Sequence, residues 1–128
     1  MNDLYNELQQ KTKQLDAGVK LLRHNGTDLA QKEHDYKVRV ATKVFEMKEE
    51  GTPATLINLV IYGDREVAKL RLDRDIAEVV YNANQESINS IKLQLRLIQS
   101  QLDKEWGQAK NDWEKITKIG TRNCRNKI

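Results

Sequence analysis

Residues that could bind a metal are few and poorly spaced in this sequence. His24 and His34 are ten positions apart, and no cysteine lies near either of them. Glu46 and Glu50 are four positions apart on a predicted helix, a spacing at which two carboxylates share a cation weakly. The same spacing is typical of a solvated, charged helix face. The sequence therefore predicts no metal site and no cofactor.

Nucleophilic catalysis also lacks a convincing set of residues. Cys124, the single cysteine, lies in a basic context that is typical of reactive thiols, but the sequence places no base to serve it. Gly51 and Gly63 have the surroundings of helix ends and not of a phosphate-binding loop. We therefore expect a protein that is not an enzyme.

Basic and aromatic residues run together late in the sequence, a pattern typical of proteins that bind single-stranded nucleic acid. Trp106 and Trp113 are interleaved with lysines, but acidic residues alternate with those lysines up to residue 115. The last ten residues contain no acid, and their cations are Arg122, Arg125 and Lys127. These three residues predict a weak, salt-dependent attraction to nucleic acid.

A second possible nucleic-acid site has the pattern of a helix-turn-helix. A short predicted helix is followed by a glycine turn and a long helix, whose Arg65 and Lys69 would enter a major groove. Asp64 and Glu66 flank these two residues and would repel phosphates. The short helix is also explained as an elbow between two long helices, and both interpretations stay open.

The composition is that of a charge-balanced helical chain. Of the 128 residues, 38% are hydrophobic and 32% are charged, with a formal net charge of +3. Residues 1–60 carry nine basic and nine acidic side chains, residues 61–118 carry ten of each, and the excess lies in residues 119–128. We therefore predict one elongated helical domain over residues 1–118 and a basic flexible tail over residues 119–128.

The cellular location follows from what the sequence lacks. One cysteine allows no internal disulfide, and no signal-peptide pattern is present. The longest apolar run, Leu56 to Tyr62, is interrupted by Asn58 and is far too short to span a bilayer. We expect a cytoplasmic protein without a membrane partner.

The apolar spacing predicts an all-α fold that begins with a helical hairpin. Two amphipathic helices, about residues 1–24 and 28–50, are separated by the turn signal Asn25-Gly26. Thr27 is the expected N-cap of the second helix. A short turn makes the two helices antiparallel neighbours.

Gly51-Thr52-Pro53 is the clearest interruption in the chain. Glycine suits the position after a helix, threonine caps the next one, and proline fits its first turn. A short elbow helix follows over about residues 53–62 and is expected to bury Leu56, Ile57, Leu59 and Val60. Gly63 ends it, and Asp64 caps one long C-terminal helix over about residues 64–117.

The long helix carries a coiled-coil-like seam. Its a and d positions are Val67, Leu70, Arg74, Ala77, Tyr81, Asn84, Ile88, Ile91, Leu95, Ile98 and Leu102. Hairpin helices less than half as long would leave the later part of the seam uncovered. A second apolar strip, Val79, Leu93 and Leu97, lies off the seam and also needs a cover.

The uncovered seam predicts a homo-oligomer. In this prediction, Asn84 helps to fix the register of the associated helices. The expected contact residues all lie on the later part of the long helix: Ile88, Ile91, Leu95, Ile98, Leu102, Trp106 and Trp113.

Several stretches resemble a group of small helical proteins encoded by phages and prophages of Gram-positive bacteria. They lie within about residues 33–107: Gly51–Ile57, Tyr62–Arg71, Ala77-Glu78, Glu86–Lys92 and Asp103–Trp106. The resemblance implies an early gene, near replication and recombination functions, and a protein in the host cytoplasm. It implies no activity and no catalytic residue.

Together these observations favour a non-enzymatic, self-associating interaction protein. A phage context implies a host or phage protein as partner, with inhibition of host defence as one possible role. The alternative is an accessory nucleic-acid-binding protein of a phage replication or recombination module.

Overall fold

A computed structural model describes the chain over residues 2–126, with side chains described for residues 3–119. Three α-helices follow one another: α1 (Asn2–Glu49), α2 (Ala54–Val60) and α3 (Arg65–Asn126). A single 3₁₀ turn, Ile61–Gly63, joins α2 to α3. Residues 2–126 contain no strand, so the predicted all-α class and the long C-terminal helix are confirmed.

The chain divides into two compact units. Residues Ala17–Ile88 form the first, which we call the elbow unit because it contains α2. Met1–Asp16 and Asn89–Ile128 form the second, which we call the end unit. Both α1 and α3 contribute residues to each unit.

The predicted N-terminal hairpin is wrong, because α1 is one continuous helix of 48 residues. Thr27 does not cap a second helix; its hydroxyl donates to the carbonyl oxygen of Arg23, 2.9 Å away, inside α1. Gly26 lies against the ring of Tyr81, where an added Cβ would be 3.3 Å from the nearest ring carbon. The small residues that suggested a turn therefore allow α3 to pack closely on α1.

The elbow between α1 and α3 begins at the predicted interruption, Gly51-Thr52-Pro53. Gly51 has φ +85, a left-handed conformation that glycine adopts without steric cost. The N–H of Thr52 donates to the carbonyl oxygen of Met47 at 3.0 Å, which closes the end of α1. Pro53 occupies the N-cap position of α2, and no side chain makes a capping hydrogen bond there, so the predicted capping by Thr52 is wrong.

Asp64 caps α3 as predicted. Its Oδ2 accepts a hydrogen bond from the N–H of Val67 at 3.2 Å, and its carbonyl oxygen accepts from Ala68 at 2.8 Å. The far end of the same helix differs from the prediction, since α3 continues to Asn126 and not to about residue 117. The side chains of residues 120–128 lie outside the described part of the chain. The predicted flexibility of the tail therefore stays a prediction.

A small apolar core ties the elbow unit together. Tyr36 of α1, Ile61 of the 3₁₀ turn and Val67 of α3 form a buried cluster, flanked by Val40, Val44, Met47 and Leu70. Val67 is completely buried. The 3₁₀ turn holds Ile61 against both long helices. This core therefore determines the point from which α3 packs along α1.

The covered face of α3 in the elbow unit is the predicted seam. All seven seam positions from Val67 to Ile88 are buried or half-buried. The polar residue Arg74 is accommodated because its guanidinium lies 4.7 Å from the centroid of the Tyr36 ring. It also donates to Oδ1 of Asp75 at 2.8 Å, a hydrogen bond that raises the pKa of Arg74.

Asn84 is the buried polar residue of this face, with 8% of its surface exposed. Its Nδ2 donates to the carbonyl oxygen of Gly18 at 3.3 Å. Its Oδ1 accepts from Nδ2 of Asn25 at 3.1 Å. The predicted register-fixing role of Asn84 thus has a partner inside the chain, on α1.

Replacing Asn84 by alanine should destabilise the elbow unit. The substitution leaves the amide of Asn25 without its acceptor, and a buried polar group left unpaired costs about 1–3 kcal/mol. We expect Asn84→Ala to lower the free energy of unfolding by that amount in urea titrations followed by circular dichroism at fixed protein concentration. Asn82→Ala, at an exposed position of the same helix, is the control and should change it by less than about 0.5 kcal/mol. Equal effects of the two variants would contradict the assigned role.

Candidate interaction surfaces

The end unit covers most of the residues predicted to form an oligomer contact. Ile98 is buried, with 6% exposed, and Ile91, Leu95 and Leu102 are half-buried. The residues of α1 in the same unit show the matching pattern, since Leu4, Leu8 and Leu15 are half-buried and their neighbours are mostly exposed. The seam in this unit is therefore covered by the first turns of α1.

This covering corrects the premise of the oligomer prediction. A hairpin of two short helices would have left these residues uncovered, whereas the continuous α1 reaches them. Ile88, in the elbow unit, is likewise 5% exposed and lies under Gly18, where an added Cβ would be 3.2 Å from its Cγ1. Five of the seven predicted contact residues are thus occupied inside the chain.

The other two predicted contact residues remain exposed. Trp106 is 69% and Trp113 68% exposed, and every residue from 108 to 119 is exposed. With Ala109 and Ile116, the two tryptophans form what we call the tryptophan stripe, at spacings of three and four residues along α3. An apolar pocket of about 240 Å³ lies on it, lined by Trp106, Ala109, Lys110 and Trp113.

The apolar strip predicted off the seam is also exposed. In the elbow unit, Val79 is exposed together with Leu72 and Ile76. In the end unit, Leu93 and Leu97 are exposed. The sequence predicted that this strip would be covered. No described residue of the chain covers it.

The elbow exposes an apolar surface that the sequence reasoning missed. Only Ile57 of the four residues expected to be buried in α2 is buried, because a seven-residue helix turns one narrow side to the core. The others are exposed, and with Tyr62 they form what we call the elbow patch: Leu56, Leu59, Val60 and Tyr62. Arg71 lies 5.6 Å from the centroid of the Tyr62 ring. Leu56, Leu59 and Val60 are spaced i, i+3, i+4, which places them on one face of α2. This spacing was the sequence signal for an apolar patch.

The acidic residues beside the predicted helix-turn-helix contacts are paired with cations of α1. Arg39 Nη2 lies 2.6 Å from Oε2 of Glu66, and Lys43 Nζ lies 3.6 Å from Oδ1 of Asp64. Arg65 and Lys69 are exposed in the first turns of α3. The structure therefore leaves these two cations accessible, but it packs the preceding segment as an elbow.

Three further predicted nucleic-acid contacts are not described. Arg122, Arg125 and Lys127 lie beyond residue 119, where the description of side chains ends. Lys104, Lys110, Lys115 and Lys118 are exposed on α3, with Asp103, Asp112 and Glu114 exposed among them. The described end of α3 is therefore a mixed-charge surface.

Neither a metal-binding cluster nor a membrane-spanning helix is found among the described residues. No group of three or more histidine, cysteine, aspartate or glutamate side chains is placed to hold a metal ion in that part of the chain. None of the described helices has the length and apolar character required to cross a membrane.

Comparison of the chain with protein-family models, with curated proteins and with solved structures finds no match in any of the three. The resemblance to phage proteins stays a prediction. The exposed surfaces of the two units are therefore the features that bear on function.

The cap of α3 should make stability depend on pH. The hydrogen bond from the Val67 N–H, and then the charges of Lys43 and Arg39, hold the pKa of Asp64 below its ordinary value. A carboxyl with a depressed pKa in the folded state stabilises the fold above about pH 4, and this contribution is lost as the pH falls through the folded pKa. Wild type should therefore unfold at higher urea concentration than Asp64→Asn at pH 7, and the difference should disappear in acid.

Asp103→Asn controls for the change in net charge. A difference between wild type and Asp64→Asn that is constant from pH 7 to pH 2.5, or that grows in acid, would contradict the capping role. Circular dichroism of urea titrations at each pH measures it.

Proposed function

We propose that the chain is a non-enzymatic interaction protein that associates with itself and binds a protein partner through exposed helix faces. The observation that carries the proposal is the grouped exposure of large apolar side chains within each unit.

These side chains form one surface in each unit. Large apolar side chains are exposed in groups in each unit, on the tryptophan stripe of the end unit and on the elbow patch of the elbow unit. Grouped exposure of this kind marks association surfaces, whereas single exposed apolar residues are ordinary. Two separate surfaces allow one to serve self-association and the other to serve a different protein.

The identity of the second partner rests on the resemblance to phage proteins. If that resemblance holds, the partner is a host or phage protein, and inhibition of host defence is one role consistent with a small binding protein. The elbow patch is the surface we assign to it, since Leu59 is 80% exposed and Tyr62 51% exposed.

The alternative function is accessory nucleic-acid binding. The exposure of both tryptophans favours it, because exposed rings beside Lys110 are able to stack on bases. Asp112 and Glu114 oppose it by repelling phosphates. Retention on single-stranded DNA at low salt, lost steeply as salt rises, distinguishes this function from protein binding.

Self-association is tested by the mass of the protein in solution. Size-exclusion chromatography with light scattering at about 100 μM should give at least twice the mass of one chain, because a dimer buries apolar area that the monomer leaves in water. A mass equal to one chain at that concentration would overturn this part of the proposal.

The second partner is tested by affinity capture from a lysate of infected host cells. We expect a protein captured in stoichiometric amount by wild type and lost with Leu59→Asp, which places a charge in the elbow patch. Leu93→Asp, on an exposed apolar position of α3 in the end unit, is the matched control and should retain the captured protein. Capture of the chain alone, or equal losses with both variants, would contradict the assignment.

A further inference from the structure

We propose that the first part of α1 is a strap that opens from α3 while the elbow unit stays folded. The strap consists of residues 2–16, the part of α1 that belongs to the end unit. Its release uncovers the apolar face of α3 in the same unit. This conformational device is a property of the single chain and does not depend on the proposed self-association.

The two units differ in how much they bury. In the elbow unit, seven residues are buried: Tyr36, Ile57, Ile61, Val67, Ala77, Asn84 and Ile88. In the end unit, Ile98 alone is buried among residues 3–16 and 89–119. A region opens most readily where folding withdraws few side chains from water. The end unit is therefore the part of the chain that opens first.

The strap makes a shallow contact. Leu4, Leu8, Lys11 and Leu15 are half-buried, and none of the other side chains of residues 3–16 is covered more deeply. A helix of about fifteen residues is marginal in water without tertiary contacts. Release of the strap and loss of its helical structure therefore occur together.

The elbow unit determines where the opening stops. It begins at Ala17, and the next residue, Gly18, is tied to α3. The Gly18 carbonyl oxygen accepts from Nδ2 of Asn84 at 3.3 Å, and Ile88 packs under the same glycine. Glycine also has a low helix propensity, so a helix ends there at little cost. The strap consequently unwinds as far as about Gly18, and the core around Val67 stays intact.

Release of the strap lengthens the exposed apolar face of α3. The residues that become uncovered are Ile91, Leu95, Ile98 and Leu102, which are half-buried or buried in the closed state. They precede the tryptophan stripe at spacings of three and four residues, which places them on the same side of the helix. The closed strap thus limits the exposed face to the stripe, and the open strap extends it back to Ile91.

Hydrogen exchange distinguishes a strap from ordinary fraying of a helix end. Backbone amides of residues 6–16 should share one protection factor, at least about tenfold below that of residues 36–47, because they open as one unit. Fraying would instead give protection that rises steadily from residue 6 to residue 16. Mass spectrometry with overlapping peptides measures both ranges in the wild-type chain.

Thiol labelling measures exposure of the α3 face that the strap covers. Ile98→Cys and Val67→Cys, each in a Cys124→Ser background, place a single thiol in the end unit and in the elbow unit. At low concentration of an aromatic disulfide reagent, the labelling rate follows the population of the open state. The thiol at position 98 should react at least about tenfold faster than the thiol at position 67.

Leu8→Ala tests whether the strap provides the cover. Loss of a half-buried leucine should raise the labelling rate at position 98 at least about threefold and leave the rate at position 67 within about twofold. Gln9→Ala, at an exposed position of the same strap, is the matched control and should change neither rate. Circular dichroism of each variant verifies that the helical fold is kept.

Three results would overturn the strap. Protection that rises steadily along residues 6–16 would reduce the opening to fraying. Equal labelling rates at positions 98 and 67 would show that the two units open together. Acceleration of both rates by Leu8→Ala to the same extent, or of neither, would show that residues 2–16 do not control exposure of the α3 face.

Discussion

The packing of α1 on α3 in the elbow unit depends on one buried amide and the groups that satisfy it. Asn84 lies among apolar neighbours on the covered face of α3, where an unpaired amide costs about 1–3 kcal/mol. In the observed register, Asn25 donates to it and the Gly18 carbonyl accepts from it. A shift of α1 by one turn would move both partners about 5 Å away. Polar matching therefore selects the register, and apolar contacts such as Ile88 under Gly18 supply the packing around it.

The same contact explains why α1 remains one helix. Gly18 and Gly26 each cost up to about 1 kcal/mol of helix propensity relative to alanine. At both positions α3 approaches so closely that an added Cβ would be 3.2 or 3.3 Å from Ile88 or Tyr81. The tertiary contact thus compensates for a local weakness. A continuous α1 in turn covers the seam of the end unit, which a hairpin would have left open.

The surfaces proposed for interaction are those where intrachain cover ends. At the elbow, the nearby charges of Asp64 and Glu66 are paired with α1, whereas Leu59 and Tyr62 remain exposed, with the guanidinium of Arg71 near the Tyr62 ring. In the end unit, α3 keeps its apolar spacing beyond the part that α1 covers. Both surfaces arise because the chain has more apolar helix face than its own three helices bury. Association with another copy or another protein is the response that we propose to that surplus.

The sequence by itself determined the all-α class, the elbow, and the long helix α3 with the face of it that is covered, because hydrophobic spacing and capping residues such as Asp64 are local signals. It could not determine what covers that face. Asn25-Gly26 has the local chemistry of a turn, and only its contact with Asn84 and Tyr81 makes it part of a helix. The oligomer contact was therefore predicted over the whole later seam, while the tertiary structure confines the open part to residues after Leu102. Long-range packing decides such points, since it outweighs a local preference of about 1 kcal/mol.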